Sequence, residues 1–235
     1  MINFKEKIAQ GIGRVEFNSG KVNQISLIKD RGLVSKSREL FNLDFDVPES
    51  YLELYNQIRG VHFTWDLNDD EETENSIMNH PIVKRDMIEG EDFSSFSEIK
   101  QWISGQLRIP SFEEAFSKEG NAQRGYYVTA EYLKLDPHSF IPIDIGPSLT
   151  ACLKLEEGKL IDNVIIIDDA ALEVYDMKIN IETYFDFAYK CKLFTNWQST
   201  YLFKEKALNY NVMRDVLPLI FPVDTLDLSP WGMTE

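Results

Sequence analysis

The 235-residue sequence is short of basic residues, cysteine, histidine and long apolar runs. Lys and Arg total 24 against 39 Asp and Glu, a formal net charge of −15. A surface of that sign repels a polyanion, and no compact Lys/Arg cluster offsets it, so the chain is not expected to bind nucleic acid. The two cysteines, Cys152 and Cys191, sit in apolar stretches without CxxC spacing. That excludes a disulfide framework and a zinc site, and predicts buried, reduced thiols. His62, His80 and His138 are scattered, with no HxxxH or HExxH spacing, so no metal centre is expected. No stretch reaches the roughly 20 apolar residues of a membrane span, and MINFKEKIAQ lacks the apolar core of a secretory signal. The expectation is a cytoplasmic protein without membrane contact. GIGRVE fails as a dinucleotide fingerprint because Glu16 takes the place of the third glycine and no strand precedes it. No cofactor is expected.

What is present is an ordinary globular balance, 43% hydrophobic and 27% charged, in a chain long enough to bury a substantial core. No repeat, low-complexity tract or linker divides it, which favours one domain over 1–235. The clearest pattern is residues 146–169, GPSLTACLKLEEGKLIDNVIIIDD. Leu153 and Leu155 alternate with Cys152 and Lys154, the period of a strand with two unlike faces. Glu156, Glu157 and Gly158 supply a turn, and Val164, Ile165, Ile166 and Ile167 suit a central strand covered on both faces.

Around this hairpin the remaining elements fall into order. Residues 4–42 read as helical, with Ile25, Ile28, Leu33 and Leu40 at loosely helical intervals and Gly11, Gly13, Gly20 and Gly32 breaking the run. Residues 46–60 make a better helix, with Pro48 at its first position, Glu49 at the positive dipole end, Gly60 at its stop, and Tyr51, Leu54, Tyr55 and Ile58 on one face. Residues 61–65 read as a strand. Phe96, Ile99, Trp102 and Ile103 predict a helix over 95–103, capped by Ser94 or Ser95 and ended by Gly105. Residues 107–116 carry a short apolar run stopped by Pro110. Residues 126–135 fit strand or helix equally. FIPIDI, 140–145, is strand-like, and Pro142 directs it to an edge or a bulge. Ile181, Tyr184, Phe185, Ala188 and Tyr189 predict a helix over 181–192, capped by Asn180, with Lys190 and Lys192 near its negative dipole end. Helical segments follow over 197–208 and 211–217, the latter stopped by Pro218, before a turn-rich tail. The fold class is α+β: a single domain with a mostly antiparallel central sheet flanked by N-terminal and C-terminal helices.

Two acidic features are candidates for chemistry. The run DLNDDEETE, 66–74, matches the first ligand spacing of a calcium loop at Asp66, Asn68 and Asp70. Glu71 replaces the turn glycine, however, and Ile77 replaces the bidentate glutamate. It reads instead as a solvated loop or as a docking surface for a basic partner. Asp168 and Asp169 stand at the end of the central strand, a place where paired carboxylates serve acid/base or metal chemistry. No third group is placed beside them, and polar residues at strand ends ordinarily begin a turn, so no catalytic residue is assigned.

Three segments, in order, resemble the SUKH superfamily of yeast cell-wall regulators and bacterial toxin-immunity proteins. VPESYLELYNQIRGVHFTW, 47–65, is similar to the family's Pro-capped helix followed by a glycine and a short strand. FIPIDIGPSLTACLKLEEGKL, 140–160, is similar to its "PI, gap, strand, Gly turn" element. ETYFDFAYKCKLFTNWQSTYLF, 182–203, is similar to its C-terminal aromatic helix. Where members often carry several glycines after PI, this chain has Asp144, Ile145, Gly146, Pro147 and Ser148. The resemblance covers about residues 40–203, leaving an N-terminal helical extension and a C-terminal helical tail. It implies an α+β fold, no enzymatic activity, and function through protein binding: an immunity protein that neutralises a basic, nuclease-type toxin domain. The alternative is a regulatory or scaffold protein that recruits a cellular partner. Asp66, Asp69, Asp70, Glu71, Glu72 and Glu74 form the candidate docking patch.

Overall fold

The computed structural model describes residues 21–29, 45–58, 60–81, 96–207, 209–222 and 226–233, together with Phe4, Glu6, Ala9 and Val83. The expectations for Gly11, Gly13, Gly20, Gly32, Leu33, Leu40, Ser94 and Ser95 lie outside the described residues. In chain order the first elements are β1 (Val22–Lys29), α1 (Glu49–Gln57), β2 (Val61–Leu67), α2 (Glu71–Met78), α3 (Phe96–Trp102) and β3 (Ser104–Ile109). Next come α4 (Phe112–Phe116), α5 (Lys118–Asn121), α6 (Gly125–Tyr132), β4 (Phe140–Ile145), β5 (Leu149–Glu156), β6 (Lys159–Asp168) and β7 (Glu173–Asp176). The last are α7 (Ile181–Lys190), α8 (Trp197–Phe203) and α9 (Leu217–Ile220). The fold is α+β, with one sheet ordered β1-β2-β3 and another ordered β4-β5-β6-β7. Among the described residues no helix is long and apolar enough to cross a membrane. The chain packs as two compact units, one of Met1–Ile8, Leu27–His62 and Leu107–Asp186, the other of Ala9–Ser26, Phe63–Gln106 and Phe187–Glu235.

The first unit is built on the hairpin. β5 and β6 pair antiparallel from Leu149↔Asp168 to Glu156↔Lys159, and the two residues between them, Glu157 and Gly158, both take positive φ (48° and 76°). Two left-handed residues give the turn a twist that matches its strands, and glycine meets that requirement without steric cost. β6 is interior and well covered, with Val164, Ile166 and Ile167 fully buried. β4 is an edge strand with a register shift between Pro142 and Asp144, so the proline sits where its missing N–H is tolerated. On this sheet α6 lays Tyr126, Tyr127 and Ala130 against Phe140, Cys152 and Ile167. The segment that could have been strand or helix is therefore a helix. An aromatic block completes the core: Tyr51 and Tyr55 of α1 stand 4.8 Å apart, and Tyr55 meets Phe112 edge-on at 5.4 Å. The Asp162 carboxylate of β6 accepts from Ser50 Oγ at 2.8 Å and from the Ile181 N–H at 3.0 Å, tying the starts of α1 and α7 to the sheet.

In the second unit Trp65 is the anchor. It is fully buried, crosses Phe221 edge-on at 5.4 Å, and donates its indole N–H to the Lys192 carbonyl at 2.7 Å. In the same unit Trp197 and Trp231 stand 6.1 Å apart, with Phe187 5.6 Å from Trp231. Cys191 is buried and unpaired, as is Cys152 in the first unit.

Three readings are corrected. Val22–Lys29 is a strand, so Ile25 and Ile28 are strand residues; pairing in the β1-β2-β3 sheet overrides their loose helical spacing. Gly105 does not end α3 but lies within β3, where a methyl group would overlap the Trp65 indole. Pro218 does not stop a helix. Val212–Val216 forms a π-helical turn that passes into α9, and Pro218 occupies the first turn of α9, where no N–H is needed.

Candidate functional site

The acidic run 66–74 is only partly loop. Asp70 caps α2: its side chain accepts from the Thr73 N–H at 2.8 Å and from Thr73 Oγ1 at 3.0 Å, and Thr73 itself is buried. Glu71, Glu72 and Glu74 then fill the first turn, where carboxylates oppose the positive end of the helix dipole. The sequence signal was the Asp-x-x-Thr spacing ahead of Ile77, which is fully buried. The helix that starts at Glu71 also removes the geometry of a twelve-residue calcium loop.

The six candidate carboxylates thus have three kinds of neighbour. Asp66 projects from β2 and is half-buried; burial raises its pKa, Lys100 opposes that shift, and Asp69 adds to it. Asp69 is 77% exposed and forms an ion pair with Lys100 at 2.8 Å. Asp70 is spent on the cap, and its hydrogen bonds from Thr73 hold its carboxyl below the ordinary range. Glu71, Glu72 and Glu74 are exposed. Asp69 to Glu74 therefore form one contiguous acidic turn, with Asp66 set back at its root.

Asp168 and Asp169 serve different neighbours. Asp168 Oδ1 accepts from the N–H groups of Ala170 and Ala171 at 3.0 and 2.9 Å, fixing the turn after β6. The Asp169 carboxylate packs against Gly125 at the start of α6, where a methyl would overlap it. Its pKa is raised, first by burial and then by the Asp168 charge. Glu173 stands opposite Asp168 across the β6–β7 pairing and accepts from Tyr175 Oη, but among the described residues no three such side chains are grouped to hold a metal ion; His138 is paired through Nε2 with Tyr127 Oη at 3.1 Å, and His62 is held below its usual pKa by burial and by Arg108.

Asp144 is the carboxylate that sequence reasoning passed over. It sits at the β4 register shift, 4% exposed, accepting from the Arg108 N–H at 3.0 Å and from Tyr184 Oη at 2.8 Å. Burial pushes its pKa up to about 6, against the lowering effect of hydrogen bonds from the Arg108 N–H, the Tyr184 hydroxyl and the Ile145 N–H. It joins β3, β4 and α7, while the Arg108 side chain turns to Glu114, which also pairs with Arg124. The bulge that aims Asp144 inward is not visible in the alternation of FIPIDI, although Pro142 marks its position.

Comparison with family models, curated proteins and solved structures gives no match for this chain.

Proposed function

We propose that the chain is a non-catalytic protein-binding module that docks a basic protein through the acidic turn Asp69 to Glu74. The observation that carries this reading is the exposure of Asp69, Glu71, Glu72 and Glu74 within one turn of chain, on a protein of net charge −15. Several like charges held at one place give a local potential beyond what a scattered surface provides, and they attract a cationic face before contact is made. Asp70 and Thr73 fix the backbone that presents them, so the charges need little ordering on binding. The partner we propose, a basic nuclease-type toxin domain that this chain neutralises, follows from the likeness to immunity proteins in 47–65, 140–160 and 182–203.

The reading is tested by affinity capture from the source cells with the wild-type protein and the E71Q/E72Q/E74Q variant in parallel. At about 0.01 M salt, where the Debye length is about 30 Å, the wild type should retain a basic protein that the variant loses. Equal retention by both removes the acidic turn as the docking surface. A captured protein that is not a toxin would favour the regulatory role instead.

A further inference from the structure

Within the second unit, α8 stops at Phe203, although the helical pattern of its sequence runs on to residue 208. The residues that follow, Lys204, Glu205, Lys206 and Ala207, are good helix formers, with no glycine or proline among them. Lys204 nevertheless leaves the helix at φ 54° and ψ −132°, and Lys204–Lys206 closes into a short 3-10 turn. That backbone region suits glycine. A residue with a Cβ is strained in it and stays only where its surroundings hold it there. Local preference and observed conformation therefore conflict at Lys204, which calls for a contact from elsewhere in the unit.

The C-terminal segment 226–233 supplies that contact. Lys204 Nζ donates to the Pro230 carbonyl at 2.9 Å while standing 4.6 Å from the centre of the Tyr201 ring. A methyl group at Gly232 would lie 3.6 Å from Lys204 Cδ, so the segment runs along the lysine stem as well. Trp231 anchors the segment, fully buried against Trp197 and Phe187. An ion pair of Lys190 with Asp227 at 3.4 Å holds its start. The N–H groups of Trp231 and Gly232 bond to the Leu228 and Ser229 carbonyls at 3.1 and 2.9 Å, inside the segment itself. The segment is thus a strap, folded on its own backbone and joined to the unit through the side chains of Lys204, Asp227 and Trp231. We infer that the strap and the end of α8 form a two-state device: the seated strap holds Lys204 out of the helix, and its release lets α8 extend through Ala207 and uncovers Trp197 and Phe187. In the extended state the N–H groups of Glu205, Lys206 and Ala207 reach the carbonyls of Tyr201, Leu202 and Phe203. Linkage makes the coupling reciprocal, so a change that favours helix at residue 204 loosens the strap. The device lies within 187–233 and does not rest on the acidic turn.

The test uses the full chain. Amide hydrogen exchange at Trp231 and Gly232 measures how often the strap opens. K204A and K204G both remove the ammonium, but alanine favours helix whereas glycine favours the observed turn. The strap amides should therefore exchange at least about tenfold more slowly in K204G than in K204A. Equal rates in the two variants overturn the inference, since they would mean that Lys204 serves the strap through its ammonium alone. W231A removes the anchor, and the Cα chemical shifts of Lys204 to Ala207 should then move to helical values. Shifts that stay non-helical in a folded W231A overturn the inference as well. Should W231A fail to fold, the K204A and K204G pair decides, because Lys204 is exposed and its replacement leaves the core in place.

Discussion

At the scale of single residues, Asp144 couples folding to pH. Its carboxyl has a pKa of about 6 in the folded chain against an ordinary 3.8, because burial penalises its charge more than Arg108 and Tyr184 favour it. A raised folded pKa contributes stability that is fully present below about pH 4 and lost as pH rises through about 6. The difference of about 2 pH units corresponds to about 3 kcal/mol. Wild type and D144N should therefore be compared by urea unfolding between about pH 4 and pH 7.5. The wild type should lose up to about 3 kcal/mol relative to D144N across that window; parallel curves would contradict the assignment. Gly105 makes the steric counterpart. G105A places a methyl group inside the Trp65 indole, which cannot retreat without releasing its hydrogen bond to the Lys192 carbonyl. Overpacking of this kind costs about 1–3 kcal/mol, to be read as a lowered urea midpoint.

At the scale of elements, the hairpin was the most legible part of the chain. Its β-branched run at Val164 to Ile167 is a local signal, and local chemistry decides a two-residue turn; the two unlike faces expected from Cys152 to Leu155 are not realised, because Cys152 and Leu153 are both fully buried and the register shifts before Lys154. G158A should cost about 1–2 kcal/mol, since alanine at φ 76° brings its Cβ against the backbone. An unchanged midpoint would show that the turn relaxes. The helix expected over 181–192 runs Ile181–Lys190, with Asn180 capping through the Thr183 N–H at 2.9 Å, Ile181, Tyr184, Phe185 and Ala188 buried as the spacing required, and Tyr189 half-buried. β1, β3 and β7 were not read as strands, because β1 is a strand by virtue of its neighbour, Gly105 in β3 reads as a helix stop, and β7 is a four-residue edge with no apolar run. The role of Gly105 and the partners of Asp144 were hidden for the same reason, since each depends on a group distant in sequence, whereas Pro142 pointed to the edge strand and the bulge that β4 shows. The acidic run was legible as composition but not as structure, since only the buried Thr73 and Ile77 turn its second half into a helix. Cap and charges then separate by experiment. D70A should lower the thermal midpoint by removing the Thr73 bonds, whereas E71Q/E72Q/E74Q should leave the fold intact and act on association. The reverse pattern would mean that the glutamates serve α2 rather than a partner.

At the scale of the whole molecule, the net charge of −15 acts on every encounter. A surplus of that size keeps copies of the chain apart and draws in cationic proteins, and it does both less well as salt rises. The acidic turn gives that general attraction a place to converge. Diffuse charge predicts that the salt dependence of binding depends only on total charge; a docking turn predicts that it depends on where the charge is removed. The direct measurement is the association rate of the captured basic partner as a function of ionic strength. Wild type should be compared with E71Q/E72Q/E74Q and with a control variant in which three exposed acids elsewhere, Glu119, Glu131 and Glu157, become glutamine. A docking turn predicts a rate that falls by about tenfold or more between about 0.01 M and 0.15 M salt for wild type and control, and a flattened dependence for the E71Q/E72Q/E74Q variant alone. Identical dependence in the two triple variants would contradict it.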